Sequence, residues 1–367
     1  MSPFRMSLAE ISEVERFVRE RFNVKEVYYR GSEAAEFSIG EGDSYKEKFE
    51  DLVRFLRPKG LLPLLRTTDG GLVLYVESAK GLPKRQVYVP FILFFATVAT
   101  VVGDGWLRAS SIAAALPASG VLLDTALYAA FMMGFLGARS GVLYFQSLRS
   151  GEPTPIPYFI PGFPSTVPTF GTIHVPGGPP VNRDSEFRWG IWANVAGLVV
   201  ASIAFAVGFN DTHVLTQQAA TIAFGSNLTL VQLQVPFGLQ YLIQTVLNPP
   251  QQDVIVLSPL VYAAWFCFLI SVANIVPSRL LDGGRTASSL LSPRNLSIAV
   301  LVSLFVLVFV NFWMALFVFA VSWGAREIPV LDRVSKPSST NIYIYAALMG
   351  LAAVVYLLFL YPPLLLI

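Results

Sequence analysis

Asp282 is the first residue whose placement calls for chemistry. It closes the stretch Asn274-Ile-Val-Pro-Ser-Arg-Leu-Leu-Asp-Gly-Gly-Arg285, which follows an apolar run beginning near Leu257. A carboxylate where a membrane helix stops is costly unless a cation compensates it, so it marks a functional site by default. Arg139 is the only basic residue inside any predicted span, and it lies ten residues before Arg149, roughly 15 Å along a helix. The two charges have opposite signs and fall in the same half of the membrane. A guanidinium can hold a carboxylate through two hydrogen bonds, so the sequence predicts an ion pair between Arg139 and Asp282. The competing reading has Arg139 snorkelling to the interface while Asp282 caps a helix turn. Asn274, Pro277, Gly283 and Gly284 have plain structural uses as well: a hydrogen bond across helices, a kink and a tight turn.

The elements that must position these residues follow from composition. Of 367 residues, 54% are hydrophobic and 14% charged, with mean hydropathy +0.58, well below the roughly 25% charge of soluble domains. The net charge of +2 gives no argument for nucleic acid. Residues 1–86 hold 15 of the 26 Lys/Arg and 14 of the 24 Asp/Glu, and the rest of the chain has one lysine, Lys336. That split predicts a soluble domain over residues 1–85 and a transmembrane domain over 86–367. Cys267, the single cysteine, excludes an intramolecular disulfide and a Cys-based zinc cluster. The N-terminus opens into a charged helix and does not read as a signal peptide.

In the first domain, Ser7 and Glu10 form a capping box ahead of Leu8, Ile11, Val14 and Val18, which share one helix face. Val24–Tyr29 and Ala35–Ile39 read as strands around Gly31-Ser32. Tyr45–Leu56 reads as a second helix stopping near Pro58 and Gly60, and Leu61–Arg66 and Leu72–Glu77 flank an Asp69-Gly70 hairpin turn. The order αββαββ implies one sheet covered by two helices. It contains no nucleophile–base pair, phosphate loop or metal cluster, so it reads as an accessory or regulatory domain.

A span takes about 20 apolar residues. The candidates are Val87–Val102, Leu122–Leu148, Trp189–Phe209, Leu257–Leu280, Leu296–Trp323 and Ile342–Tyr361. Leu296–Trp323 is broken at Asn311 and reads as a tight hairpin, giving about 6–7 spans. Ser110–Ala118 reads as a stretch lying along the interface. Loop 210–256 has no Lys or Arg and is expected outside. Loops 149–188, 279–295 and 324–340 carry the arginines and are expected inside with the N-terminal domain. The expected location is therefore an integral membrane protein, in the plasma membrane of a prokaryote, with its N-terminal domain cytoplasmic.

Asn274, Pro277 and Leu281-Asp-Gly-Gly284 resemble the second motif, N-x-x-P-x-x-x-L-D-G-G, of the site-2 protease family of intramembrane zinc metalloproteases. Ile156-Pro-Tyr-Phe-Ile-Pro161 is similar to the loop after that family's catalytic helix, and Phe170-Gly-Thr-Ile173 with Asn182-Arg183 to the strand and turn that follow. Gly190–Gly197, with Asn194-Val195 where the family favours Gly-Pro, resembles the start of its third span, and Ile328-Pro-Val-Leu-Asp332 the loop before its last. The resemblance covers roughly residues 85–365 and implies a site-2-protease-like bundle.

In that family two histidines of an H-E-x-x-H helix and the aspartate of L-D-G hold zinc, and the glutamate is the general base. The resemblance places Arg139, Ser140 and Leu143 at the His, Glu and His positions. No His, Glu or Cys occurs between Ser110 and Gly151, so the motif is degenerate in any register. Metal-assisted hydrolysis needs three protein ligands and an open position. His213 falls on the outer loop, and Cys267 lies roughly 22 Å up the helix from Asp282. His174, otherwise an ordinary loop histidine bonded to backbone, is the one plausible stand-in, and a third ligand would require Glu152.

No cofactor is therefore expected, and the guanidinium of Arg139 takes the electrostatic place of the metal. The implied function is a catalytically inactive pseudoprotease that sits in the lipid bilayer. It would bind or regulate transmembrane or membrane-associated polypeptides, with no nucleic-acid partner. The alternatives are an active intramembrane metalloendopeptidase holding zinc through non-standard ligands, Asp282 and His174 among them, and a transporter-like bundle, for which no inverted repeat is found.

Overall fold

Periodicities of 3.6 and 2 in the first eighty residues produce the elements they predict. The computed structural model describes residues 8–30, 34–40, 42, 44–78, 88–115, 120–224, 236–250, 253–278, 281–323 and 330–360. Helix α1 (Leu8–Arg21) turns Val14 and Val18 inward and leads into β1 (Val24–Arg30) and β2 (Ala34–Ile39). Helix α2 (Tyr45–Leu56) buries Phe49, Leu52, Val53 and Leu56 on one face. Strands β3 (Leu61–Thr68) and β4 (Gly71–Ser78) then close on Asp69-Gly70. The sheet runs β1-β2-β4-β3 and is antiparallel throughout. Phe37, Leu65 and Leu74 share one core with both helices. Ser7 of the predicted capping box and the Gly31-Ser32 turn lie outside the described residues.

The β3 edge of this sheet is covered by the rest of the chain. Leu65 N–H donates to Leu331 O at 2.9 Å and Arg333 N–H to Leu65 O at 3.3 Å, a parallel bridge that caps an otherwise open edge. The same segment pairs with the loop before the third long helix, through Leu331 N to Pro180 O and Asp332 N to Val181 O, both 2.9 Å. Arg57 donates to Pro179 O, Arg66 to Leu331 O, and Lys46 pairs with Asp184. Residues 179–184 and 330–333, in the loops grouped with the N-terminal unit by their arginines, thus touch it directly.

The remainder is helical around one hairpin: α3 (Tyr88–Ala115), α4 (Val121–Ser150), β5 (Ile156–Phe163), β6 (Val167–Val175), α5 (Arg183–Asn210), β7 (His213–Leu215), α6 (Gln217–Phe224), α7 (Phe237–Leu242), β8 (Val254–Val256), α8 (Pro259–Ile275), α9 (Asp282–Leu290), α10 (Pro293–Val310), α11 (Phe312–Trp323) and α12 (Ser339–Val355). Among the described residues, five helices are long and apolar enough to cross a membrane: Tyr88–Ala113, Val121–Ser150, Arg183–Asn210, Pro293–Val310 and Ser339–Leu360. Helix α10 exposes Ile298, Leu301, Val302, Phe305, Val308 and Phe309 along its length, an apolar face of the size and continuity that suits lipid.

Several sequence expectations are corrected here. Of the run Leu257–Leu280, Pro259–Ile275 is helical among the described residues. Helix α8 has 17 residues, all but Tyr262 buried, because it occupies the centre of the bundle. It ends at Ile275, with Val276 extended ahead of Pro277, the conformation a following proline favours. Asp282 therefore does not end a helix; it begins α9. The apolar run from Leu296 does break at Asn311, whose side chain accepts from Met314 N–H at 2.9 Å and caps α11.

The first span is also longer than predicted. Helix α3 runs unbroken through Ser110 to Ala115, so no separate interfacial stretch forms there. This brings Asp104 and Arg108 inside a span, and Arg139 is not the only intramembrane base. The Asp104 carboxylate, with no exposed surface, accepts from Tyr128 Oη at 2.5 Å, Arg108 Nε at 2.8 Å and Ser165 N at 2.7 Å. The Arg108 guanidinium lies over the Tyr262 ring, 4.8 Å from its centroid. The cluster ties α3, α4, the tip of the β5–β6 hairpin and α8 together, and the acid is neutralised by its partners rather than left bare in the apolar interior.

Candidate functional site

Arg139 and Asp282 meet in the middle of the bundle. Nη2 of Arg139 donates to Oδ2 of Asp282 at 2.6 Å, and Nη1 donates to Oδ1 of Asn194 at 2.9 Å. Arg139 and Asn194 have no exposed surface and Asp282 has 3%. Helix α4 delivers Arg139 on the face that also buries Phe135, Leu136 and Leu143. Helix α5 delivers Asn194, after starting at a capping box in which Asn182 and Ser185 satisfy each other's backbone N–H groups. Asn194 also donates to Gly190 O at 2.8 Å and to the carbonyl of Asn274 at 3.2 Å, so it links the arginine to the end of α8.

The glycines of the second motif serve close approach. A Cβ on Gly283 would strike the carbonyl oxygens of Asn274, Ile275 and Val276, so only glycine lets α9 start against the end of α8. A Cβ on Gly190 would collide with the Thr286 hydroxyl and the Asp282 carbonyl, which fixes how near α5 comes to α9. Pro277 is buried after the end of α8, and Gly284 is buried in the first turn of α9, where its N–H donates to Leu281 O at 3.1 Å. Asn274 is used twice: its side chain returns to Ile270 O at 2.8 Å, and its carbonyl receives Asn194.

His174 is not the ordinary loop histidine of the sequence reading. It sits on β6 opposite Pro157, with 1% of its surface exposed. Its Nε2 lies 3.1 Å from Ser140 Oγ and its Nδ1 lies 3.6 Å from Asp282 Oδ1. Arg285 donates to the His174 carbonyl and approaches the Trp189 ring at 5.9 Å, which pins the strand end to α9. Burial pushes the imidazole below its ordinary value of 6.5, against the pull of Asp282, and Arg139 and Arg285 add to the lowering. His174 is thus neutral in the fold. An unfolded chain takes up a proton at this residue near pH 6.5 whereas the folded one does so only lower, so acidification through that window favours unfolding. The melting temperature should fall as pH drops below 6.5, and His174→Gln should flatten that part of the profile. A profile identical in the two proteins would contradict it.

The other sequence candidates lie elsewhere. Leu143 packs on Trp189 and Ala193. Glu152, which would have been needed as a third ligand, accepts from Trp189 Nε1 at 2.8 Å and Val181 N at 3.4 Å beyond the end of α4. Cys267 rests against Met132 Sδ at 3.5 Å, two turns of α4 from Arg139. His213 is exposed on β7 and lines a cavity of about 720 Å³ with Gly120 and Asp124, at the opposite end of α4 from Glu152.

These residues do not fit the zinc site that the resemblance implies. His174 and Asp282 offer two donors, and no group of three His, Cys, Asp or Glu side chains close enough for a metal occurs among the described residues. The guanidinium of Arg139 already holds one oxygen of Asp282, and its charge would repel a dication. Compared with family models, with curated proteins and with solved structures, the chain matches none of them.

Proposed function

We propose that this chain is a pseudoprotease with respect to zinc chemistry, a membrane protein with a site-2-protease-like bundle that binds polypeptide segments in the bilayer and carries out no zinc-dependent hydrolysis. The observation that carries this reading is the Arg139–Asp282 contact, in which a fixed cation takes the place that metal chemistry would need. Peptide binding is supported by the hairpin beside it. Among the described residues, strands β5 and β6 pair only with each other, and β5 is half-buried from Ile156 to Gly162. A strand pair of this kind accepts a further extended segment through main-chain hydrogen bonds. By the arginine rule the N-terminal unit faces the cytoplasm and acts on the bundle through its contacts with residues 179–184 and 330–333.

Two measurements on the full chain in lipid nanodiscs test the proposal. Elemental mass spectrometry should find zinc far below one per chain, and stoichiometric zinc would overturn the metal-free reading. A photoreactive phenylalanine at Tyr158 should cross-link a co-reconstituted transmembrane peptide carrying a helix-breaking proline. Equal cross-linking from an analogue at Leu301, on the lipid face of α10, would show that the hairpin has no preference for peptide.

A further inference from the structure

We infer that Ser140, His174 and Asp282 form a serine-type acyl-transfer centre, in which Ser140 is a nucleophile toward a carbonyl carbon of a polypeptide lying along the β5–β6 hairpin. The substrate class rests on the peptide-binding reading above; the nucleophile does not. The three residues come from α4, β6 and α9 and stand in the order nucleophile, base, orienting acid: Ser140 Oγ to His174 Nε2 at 3.1 Å, then His174 Nδ1 to Asp282 Oδ1 at 3.6 Å. That order of contacts defines a nucleophile–base–acid relay on any fold.

The tautomer follows from electrostatics. Asp282 Oδ1 stands 3.6 Å from Nδ1, beyond hydrogen-bond distance, and its charge favours the proton on that nitrogen, which leaves the lone pair of Nε2 toward the Ser140 hydroxyl. Burial keeps the imidazole neutral and hence able to accept a proton. The Ser140 hydroxyl has a competing acceptor in Leu136 O at 3.0 Å, and with Oγ in place its hydrogen turns about the Cβ–Oγ bond to point at His174 Nε2. Ser140 is only partly buried while His174 is 1% exposed, so a substrate carbonyl would approach from the Ser140 side, with Nε2 next to the hydroxyl it meets. Arg139 and Asn194 act as positioning residues: the guanidinium holds Oδ2 of Asp282 and leaves Oδ1 for the histidine.

The step balances with water as the second reactant. Ser140 Oγ bonds to the carbonyl carbon as its proton passes to His174 Nε2. The carbon–heteroatom bond then breaks and the departing atom takes that proton, leaving an ester on Ser140. Water, deprotonated by the same nitrogen, attacks the ester and returns the proton to Oγ, releasing a carboxylic acid. Ser140 lies inside α4, where its own N–H is committed to the helix. It cannot donate that N–H to the developing oxyanion, and loss of one such donor costs about 100- to 1000-fold in rate. Slow turnover and an isolable acyl-enzyme are therefore expected, which makes covalent capture the right readout.

The full chain in nanodiscs would be treated with a long-chain alkyl fluorophosphonate and, separately, with a transmembrane peptide bearing an activated ester. Peptide mapping should find both adducts on Ser140. Ser140→Ala should remove them, Ser140→Cys should restore acylation by the ester, and His174→Gln should slow labelling at least about a hundredfold without a matching loss of melting temperature. Phosphonate labelling without peptide acylation supports the nucleophile and overturns the peptide substrate. Labelling unaffected by His174→Gln, or absent from Ser140 in protein whose melting is intact, overturns the centre itself.

Discussion

Arg139→Met should destabilise the protein by about 3–5 kcal/mol, because it leaves the Asp282 carboxylate buried without its cation. Of the residues around it, Arg285 remains as a cation acting on the carboxylate through space, with its guanidinium tied to the His174 carbonyl. Asn194 loses the donor to its Oδ1, and His174 is held neutral by burial, so charging it to replace the arginine is itself costly. Methionine is chosen because it fills much of the stem's volume, which limits the cavity contribution. The informative protein is the double variant Arg139→Met/Asp282→Asn, which removes both charges and should recover most of the loss. Denaturation in detergent micelles by two probes, on the wild type, both single variants and the double variant, gives the coupling. A double variant as unstable as the sum of the two single variants would show that the contact carries no coupling energy. The electrostatic argument is general: a buried ion pair is a weak source of net stability, but half of one is a strong source of instability.

The pair was legible in the sequence because membrane burial makes isolated charges conspicuous. Arg139 and Asp282 stand out against long apolar runs, and opposite signs in one half of the bilayer suggest contact without any alignment. The N-terminal αββαββ order was legible for a similar reason, since Val14/Val18, Phe37/Ile39 and Phe49/Leu52/Leu56 repeat at periods that only helices and strands satisfy.

Hydropathy did not reveal depth. Leu257–Leu280 looks like a span by composition, yet α8 is a short helix wrapped by others, and an apolar face toward protein reads the same as one toward lipid. The relay of Ser140, His174 and Asp282 has no local pattern at all. Its members are separated by 34 and then 108 positions in the sequence, and β6 approaches α4 only once the hairpin folds back. Asn194 was visible as a departure from the Gly-Pro of the resembling family, but nothing in its neighbourhood announced that it would face Arg139.

A second large effect is expected at Asp104, where truncating the Val87–Val102 span hid a buried acid. Asp104→Leu removes the common acceptor of the Tyr128 hydroxyl, the Arg108 guanidinium and the Ser165 N–H at one stroke. An arginine with 13% of its side chain exposed, left without its anion, costs up to about 3–5 kcal/mol, and the orphaned hydroxyl and amide add about 1–3 kcal/mol each. Tyr128→Phe alone should cost only about 1–2 kcal/mol, since Asp104 keeps its other donors. The Asp104→Leu/Arg108→Leu pair should be milder than Asp104→Leu by itself, and an additive pair would contradict the network. There is also a local readout. The β5–β6 hairpin is held at its tip by Asp104 through Ser165 and at its base by Arg285 through the His174 carbonyl. Freeing the tip should speed amide hydrogen exchange at Ser165 and its neighbours in Asp104→Leu, even under conditions where the bundle stays folded. Because β6 carries His174, a hairpin loosened at its tip but still fixed at its base should keep the histidine beside Asp282. Exchange near Ser165 should therefore rise without a matching rise at Thr172–Val175. If the whole hairpin exchanged together, the two anchors would be one cooperative unit and Asp104 would be holding the site as well as the tip.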